Sequence, residues 1–310
     1  MNELYKEVPE TYEADNDEFD ALYVVAWALI LKAIMRLVRL PPTASTGQLL
    51  QMERQVNSEV KAIITQLNKD ALKMATSKVT EAYIEGVAYS RAAMSQENKL
   101  VHIRKNQLND SHTQRLNKMI DQTQDDLLKA THNTNENLKK VVRQVVSKEI
   151  SGAGFGKKIG KVSNMSKRVE DQLRKQFIEA GIKDADVAII DRAKRRWKLR
   201  TYSAMAVRTK MNMAYIDAIR EEAMQDGHDL AIISTKPDTY DQCKHYEGMI
   251  ISLNGLTAGY LSYEEIRKSK ECFHPNCGHF VRPVGGLSMI PKNIQDNHAK
   301  LMRHYTQNHK

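Results

Sequence analysis

The stretch LLQMERQVNSEVKAIITQLNKDALKM, residues 49–74, decides the fold class. Its apolar side chains fall at Leu49, Met52, Val56, Val60, Ile63, Leu67, Ala71 and Met74, in steps of three or four throughout. Such steps keep one stripe on one side of an α-helix, whereas a half-buried strand needs strict alternation. The pattern predicts a long single-faced helix. It can run on through Val79, Tyr83 and Val87 to Met94, with Gly86 weakening the continuation.

Helical patterning extends to both sides. Residues 20–40 read as one helix stopped by Pro41-Pro42. Its apolar block, 21–31, is followed by Lys32, Arg36 and Arg39, so the uncharged run falls well short of the roughly 20 residues that cross a bilayer. A packed helix is expected there. Trp27 ahead of the basic residues also fits a helix lying on a membrane surface. From 100 to 150 the helical phase persists at Leu116, Ile120, Leu127, Leu138, Val142 and Val145, with Thr131 and Thr134 interrupting it. Residues 151–160 are glycine-rich, but no Gly-Lys-Ser/Thr ending follows, so a basic loop is expected and not a phosphate cradle. Residues 169–180, capped by Gly181, and 202–224 read as further helices. Short β-like runs then appear at 230–234 and 249–253, the second ending in Asn254-Gly255.

The expected fold is therefore mainly α, a long-helix N-terminal body with a small C-terminal α+β Cys/His module. Three regions are read: 1–48, an acidic start and apolar helix; 49–227, an elongated helical body with a basic loop; and 228–310, the Cys/His module with a basic C-terminal helix.

Composition agrees with an ordered protein: of 310 residues, 41% are hydrophobic and 27% charged, while aromatics are only 6%. The net charge of +9 is unevenly spread. Residues 1–20 carry eight acids against Lys6, whereas 139–168 carry nine basic residues against Glu149, and 192–210 carry eight with no acid. Acid-poor basic blocks suit a polyanion or a solvated face. The candidate nucleic-acid contacts are Lys157, Lys158 and Lys161 in the glycine-rich loop, and Arg192, Lys194, Arg195, Arg196, Lys198 and Arg200 around Trp197. No groove-reading motif accompanies them, so contact with double-stranded DNA would be sequence-independent. Trp197 can stack on a base, but packing on an amphipathic helix with Leu199 and Tyr202 is its commoner fate. The acidic N-terminus lacks a basic n-region, so no secretory leader is expected. Three cysteines, an odd number, argue against a disulfide framework and for a reducing compartment.

The densest chemistry lies in Glu271-Cys-Phe-His-Pro-Asn-Cys-Gly-His279, with Cys243 and His245 upstream. Zinc takes about four thiolate or imidazole ligands in a tetrahedron. Cys243, Cys272 and Cys277 are the expected ligands, with His274 or His279 as the fourth; spacing does not choose between them. A metal-free turn with buried thiols is the alternative. A nuclease using His274 and His279 beside a metal is a second one, for which the C-terminal helix offers Asn293, Asn297, His298 and His304. No paired acidic motif joins them, so no catalysis, and no cofactor other than zinc, is expected.

Read in order, Arg196-Trp197, Leu199, Tyr202, Met205 and Arg208-Thr209 are followed by Ile233 to Asp238, Asp241, Cys243 and Gly248, then His274-Pro-Asn-Cys277, His279 and Pro283. This order resembles the phage minor capsid protein family, the group related to Mu F-like head morphogenesis proteins, most strongly over 165–285. The resemblance implies a low-copy minor head protein at the portal vertex. It implies a place inside the virion after assembly in the host cytoplasm, with contacts to portal protein and packaged DNA and, as further partners, scaffold or major capsid protein. Head assembly or DNA delivery is the implied role, with no required catalysis. One departure matters: many relatives carry two cysteines three apart after the strand, whereas here Cys243 is followed by His245-Tyr246. A four-cysteine site is thereby excluded, and His245 becomes a substitute ligand to consider.

Overall fold

Helix α1, Asn16–Val38, turns Ile30, Leu31, Ile34 and Leu37 into a core while Lys32 and Arg36 stay at the surface, Arg36 pairing with Glu59. The computed structural model describes residues 16–38, 44–95, 102–151, 175, 185–236, 239 and 241–308. Among them, α1 is followed by α2 (Thr46–Ser95), α3 (Asp110–Ile150), β1 (Val187–Ile190), β2 (Arg196–Lys198), α4 (Leu199–Gln225), β3 (Leu230–Ile233), β4 (Ile250–Ser252), α5 (Tyr263–Ser269), β5 (Val281–Val284) and α6 (Lys292–Asn308). Short 3-10 turns stand at Lys105–Gln107, Gln242–His245 and Leu287–Met289. The mainly α expectation, with a few strands in the C-terminal part, is what the chain forms.

The long helix read from 49–74 is α2, and it continues unbroken past Gly86. Ser45 and Gln48 start it with a reciprocal cap: the Ser45 amide donates to Gln48 Oε1 at 2.8 Å, and the Gln48 amide to Ser45 Oγ at 3.3 Å. Its buried stripe is Leu49, Val56, Val60, Ile64, Leu67 and Ala71, so Ile64 takes the buried place and Ile63 packs partly buried beside it.

The chain divides into two compact units. One comprises Asp15–Met74 and Gln124–Ala204. Its core joins α1 residues Trp27, Ile30, Leu31, Ile34 and Leu37 to Leu49, Val56, Val60 and Ile64 of α2 and to Leu138, Val142, Val145 and Val146 of α3. Most of the apolar block of α1 is thus packed against protein, with Val25 and Leu29 exposed. Among the described residues no helix is long and apolar enough to cross a membrane. Thr131 and Thr134 do not interrupt α3. Both are buried, and their hydroxyls donate to the carbonyls of Leu127 and Ala130 one turn back, which satisfies them inside the helix.

The antiparallel hairpin β1–β2 belongs to the same unit and corrects the helix expected around Trp197. Two amides of α3 hold its first strand: Asn133 donates to the Ala188 carbonyl at 3.0 Å and Asn137 to that of Val187 at 2.8 Å. Helix begins only at Leu199. The helix read at 169–180 lies outside the described residues.

The other unit contains Ala75–Thr123 and Met205–Lys310. In it α2 and α4 approach closely at Gly86, where a Cβ would stand 2.4 Å from the Tyr215 carbonyl oxygen, so the glycine that weakened the sequence pattern is the contact itself. Alongside, Tyr83 shares a 3.0 Å hydrogen bond with His112 Nδ1, His112 Nε2 lies 2.8 Å from Glu222, and Arg91 closes on Glu222 at 2.5 Å. This satisfied polar network ties α2, α3 and α4 together, since each group would cost several kcal/mol if buried alone.

On α4 rests a three-stranded antiparallel sheet, order β4–β3–β5. Central β3, Leu-Ala-Ile-Ile, is buried along its length, and Tyr89 and Tyr215 each meet Phe280 edge-on in the same core. The edge strand β5 carries Pro283 opposite Ala231, a place that tolerates a missing N–H.

Candidate metal centre and basic hairpin

Three backbone devices bring the Cys/His residues together. Asp241 caps the 3-10 turn at Gln242–His245, accepting from the Cys243 amide at 3.0 Å, and so fixes Cys243. After α5, Phe273 and Asn276 both adopt positive φ, 56° and 64°, and the Cys277 amide donates to the His274 carbonyl at 2.9 Å. This tight knuckle turns Cys272 and Cys277 to the same side; asparagine tolerates the left-handed region, and Phe273 is held there against the Tyr263 ring. From α4, Asn212 donates to the carbonyls of Cys277 and His279 at 2.8 and 3.1 Å. One turn earlier, the Thr209 hydroxyl accepts from the Asn276 amide at 3.1 Å, and Arg208 reaches Asn276 Oδ1 at 3.3 Å.

The sulfurs of Cys243, Cys272 and Cys277 and a ring nitrogen of His279 all lie within 4.8 Å of one another, and all four residues are buried. Cys243 Sγ is 3.7 Å from Cys277 Sγ, and Cys277 Sγ is 3.5 Å from His279 Nδ1. The other nitrogen, Nε2, is 3.0 Å from the Glu247 carboxylate. A carboxylate only accepts, so Nε2 carries a proton and Nδ1 is the nitrogen on the side of the sulfurs. Burial alone would raise Glu247. Hydrogen bonds from His279, Lys244, Thr239 and the Lys236 amide outweigh it and hold the carboxyl at about 2. Contacts from Cys243 and Cys272 draw the Cys277 thiol far below its ordinary range, while contacts from Cys243 and Cys277 push Cys272 up. Burial lowers His279, but Cys277 and Glu247 prevail and raise it.

His274 is placed differently. Its Nδ1 lies 2.9 Å from the Pro275 carbonyl, and its Nε2 lies 3.0 Å from Asp241 and 3.2 Å from Cys243 Sγ, at a partly exposed rim. Asp241, Cys243 and His274 form a second, less buried group that shares Cys243. His245 is turned away, its ring 4.9 Å from that of His304. His298 is used structurally: the Ile250 amide donates to its Nδ1 at 3.2 Å, and its ring stacks on Tyr260. Neither His298 nor His304 of the C-terminal helix belongs to a metal-ligating His, Cys, Asp or Glu group among the described residues. Sequence reasoning missed Glu247 and Asn212. Each looks like an ordinary polar residue until the fold sets it against His279.

The basic hairpin is built from charge against charge. Asp191 accepts from the Arg195 amide and guanidinium at 2.9 and 2.6 Å and from the Trp197 indole at 3.0 Å. The Trp197 bond first, then those of Arg195, hold its carboxyl at about 2. Arg195 also lies over the Trp197 ring at 5.5 Å, and the indole is partly buried. Lys198 pairs with Asp186 at 3.3 Å and Arg200 with Asp20 at 2.6 Å. Arg192, Lys194 and Arg196 are exposed. Lys157, Lys158 and Lys161 lie outside the described residues.

A family model described as Phage minor capsid protein 2 matches residues 9–310. No curated protein matches the chain, and no solved structure matches it.

Proposed function

The chain belongs to the phage minor capsid protein 2 family and is a component of the phage head; we propose that it stands inside the head at the portal vertex, between portal protein and packaged DNA, and acts there in assembly or DNA delivery. The family match across nearly the whole chain carries this reading, because it covers the helical body as well as the Cys/His module. The exposed cations Arg192 and Lys194 support a DNA-facing surface, while the ion pairs of Arg195, Lys198 and Arg200 make it smaller than the sequence block suggests.

The role is structural and not catalytic. A hydrolytic metal site keeps an open position for water, whereas the four convergent donors here are buried. Gel-shift titration of the full chain with duplex DNA tests the DNA contact. Binding should be sequence-independent and weaken with salt, and Arg192→Glu with Lys194→Glu should flatten the log–log salt slope by about 2. Absence of binding at low salt sinks the DNA-facing part. Metal-dependent nicking of plasmid, abolished by His274→Ala, would sink the non-catalytic part.

A further inference from the structure

We infer that the C-terminal module holds one zinc ion on Cys243, Cys272, Cys277 and His279, with His274 outside the ligand set. A tetrahedron with Zn–S near 2.3 Å and Zn–N near 2.0–2.1 Å places sulfurs about 3.8 Å apart and sulfur about 3.5 Å from nitrogen. The separations of 3.7 Å for Cys243–Cys277 and 3.5 Å for Cys277–His279 match both.

The donor chemistry agrees with the distances. Three thiolates and an imidazole are soft or borderline ligands, which select zinc over the oxygen-seeking magnesium and calcium. A metal-bound histidine typically donates its other N–H to a carboxylate, and Glu247 stands 3.0 Å from His279 Nε2 for that purpose. Glu247 is itself buried and fixed by Thr239, Lys244 and the Lys236 amide, so the orienting group is as firmly set as the ligands.

His274 falls instead in the less buried group with Asp241 and Cys243, apart from the four buried donors that converge. Its Nδ1 is committed to the Pro275 carbonyl and its Nε2 faces Asp241, a half-exposed carboxylate. It borders the site as a neighbour of the Cys243 sulfur.

Zinc binding would release the thiol protons to solvent and close all four positions with protein atoms, which marks a structural ion. The fold gives that ion a task. It would join the turn before β4 to the knuckle before β5, two segments that flank the sheet without being adjacent in it. This inference stands apart from the placement in the head, and its failure leaves that placement untouched.

Elemental analysis of the full-length chain, purified without added metal, should give about one zinc per chain. His274→Ala should retain it and His279→Ala should lose it. Glu247→Gln keeps every ligand and guards against variants that merely misfold. It should weaken zinc affinity about 10–100-fold in competition with a chromophoric chelator. Cobalt(II) in place of zinc should show strong thiolate-to-metal charge transfer with tetrahedral d–d bands. Absence of stoichiometric metal, iron in place of zinc, loss on His274→Ala, or octahedral cobalt bands would each overturn the assignment.

Discussion

The Cys/His module and the basic hairpin were the two most conspicuous stretches of the sequence, and folding treats them in opposite ways. The module draws together side chains up to 36 positions apart, from Cys243 to His279, into a buried group less than 5 Å across. The hairpin spreads its cations over a surface and meets three of them with acids, one of which, Asp20, lies 180 residues away. A cluster of ligand types gains significance on folding when its members converge. A cluster of charge loses some when distant partners arrive.

Removing a ligand should break that contrast most severely. Cys272→Ser replaces a fully buried sulfur in the knuckle. It should abolish metal retention and cost several kcal/mol of the stability of the Cys/His unit, given apparent zinc-binding energies of about 10–16 kcal/mol in small zinc modules. Circular dichroism melts with and without chelator check it, and a chelator-insensitive parent melt would count against the metal. Next in size is Asn212→Ala. It strips the donor from two buried carbonyls without touching a ligand, and should cost about 1–3 kcal/mol in urea unfolding while leaving zinc stoichiometry near one.

On the hairpin the effects should be smaller. Because the Asp191 carboxyl is lowered from 3.8 to about 2, its stabilising contribution is complete above pH 4, declines as pH falls toward 2 and is absent below. Trp197 fluorescence in the parent should therefore show an acid step near pH 2 that Asp191→Asn lacks; a shared step would exclude Asp191 as its source. Smallest should be Lys198→Ala, which removes a half-exposed ammonium from the largely buried Asp186 carboxylate and should cost about 1 kcal/mol in urea unfolding.

Much of this was legible from residues alone. The apolar stripe of α2, the arrest of α1 before Pro41, the β-like runs that became β3 and β4, and the three cysteine candidates all follow from periodicity or residue chemistry. What escaped depends on contacts between distant segments. Gly86 signalled a weak helix because a single strand of sequence cannot show the Tyr215 carbonyl against it. The β1–β2 turn was hidden because Lys194 takes a positive φ, 63°, that its residue type does not advertise. No strand is read at Val281–Val284, because Pro283 breaks the residue pattern of a strand. The choice between His274 and His279 could not be made from spacing, since both flank Cys277 closely; Glu247 distinguishes them, and it comes from another segment.

Thr209 and Asn212 carry a consequence for inheritance. They lie on α4, before the residues where composition changes character, yet they hold the backbone of Asn276, Cys277 and His279. A recombination event that exchanged only residues 228–310 between phages would deliver the ligands without these supports. Viable crossovers should therefore fall before Leu199, so that α4 and the knuckle travel as one heritable block, and sequence changes at Asn276 should be accompanied by changes at Arg208 or Thr209.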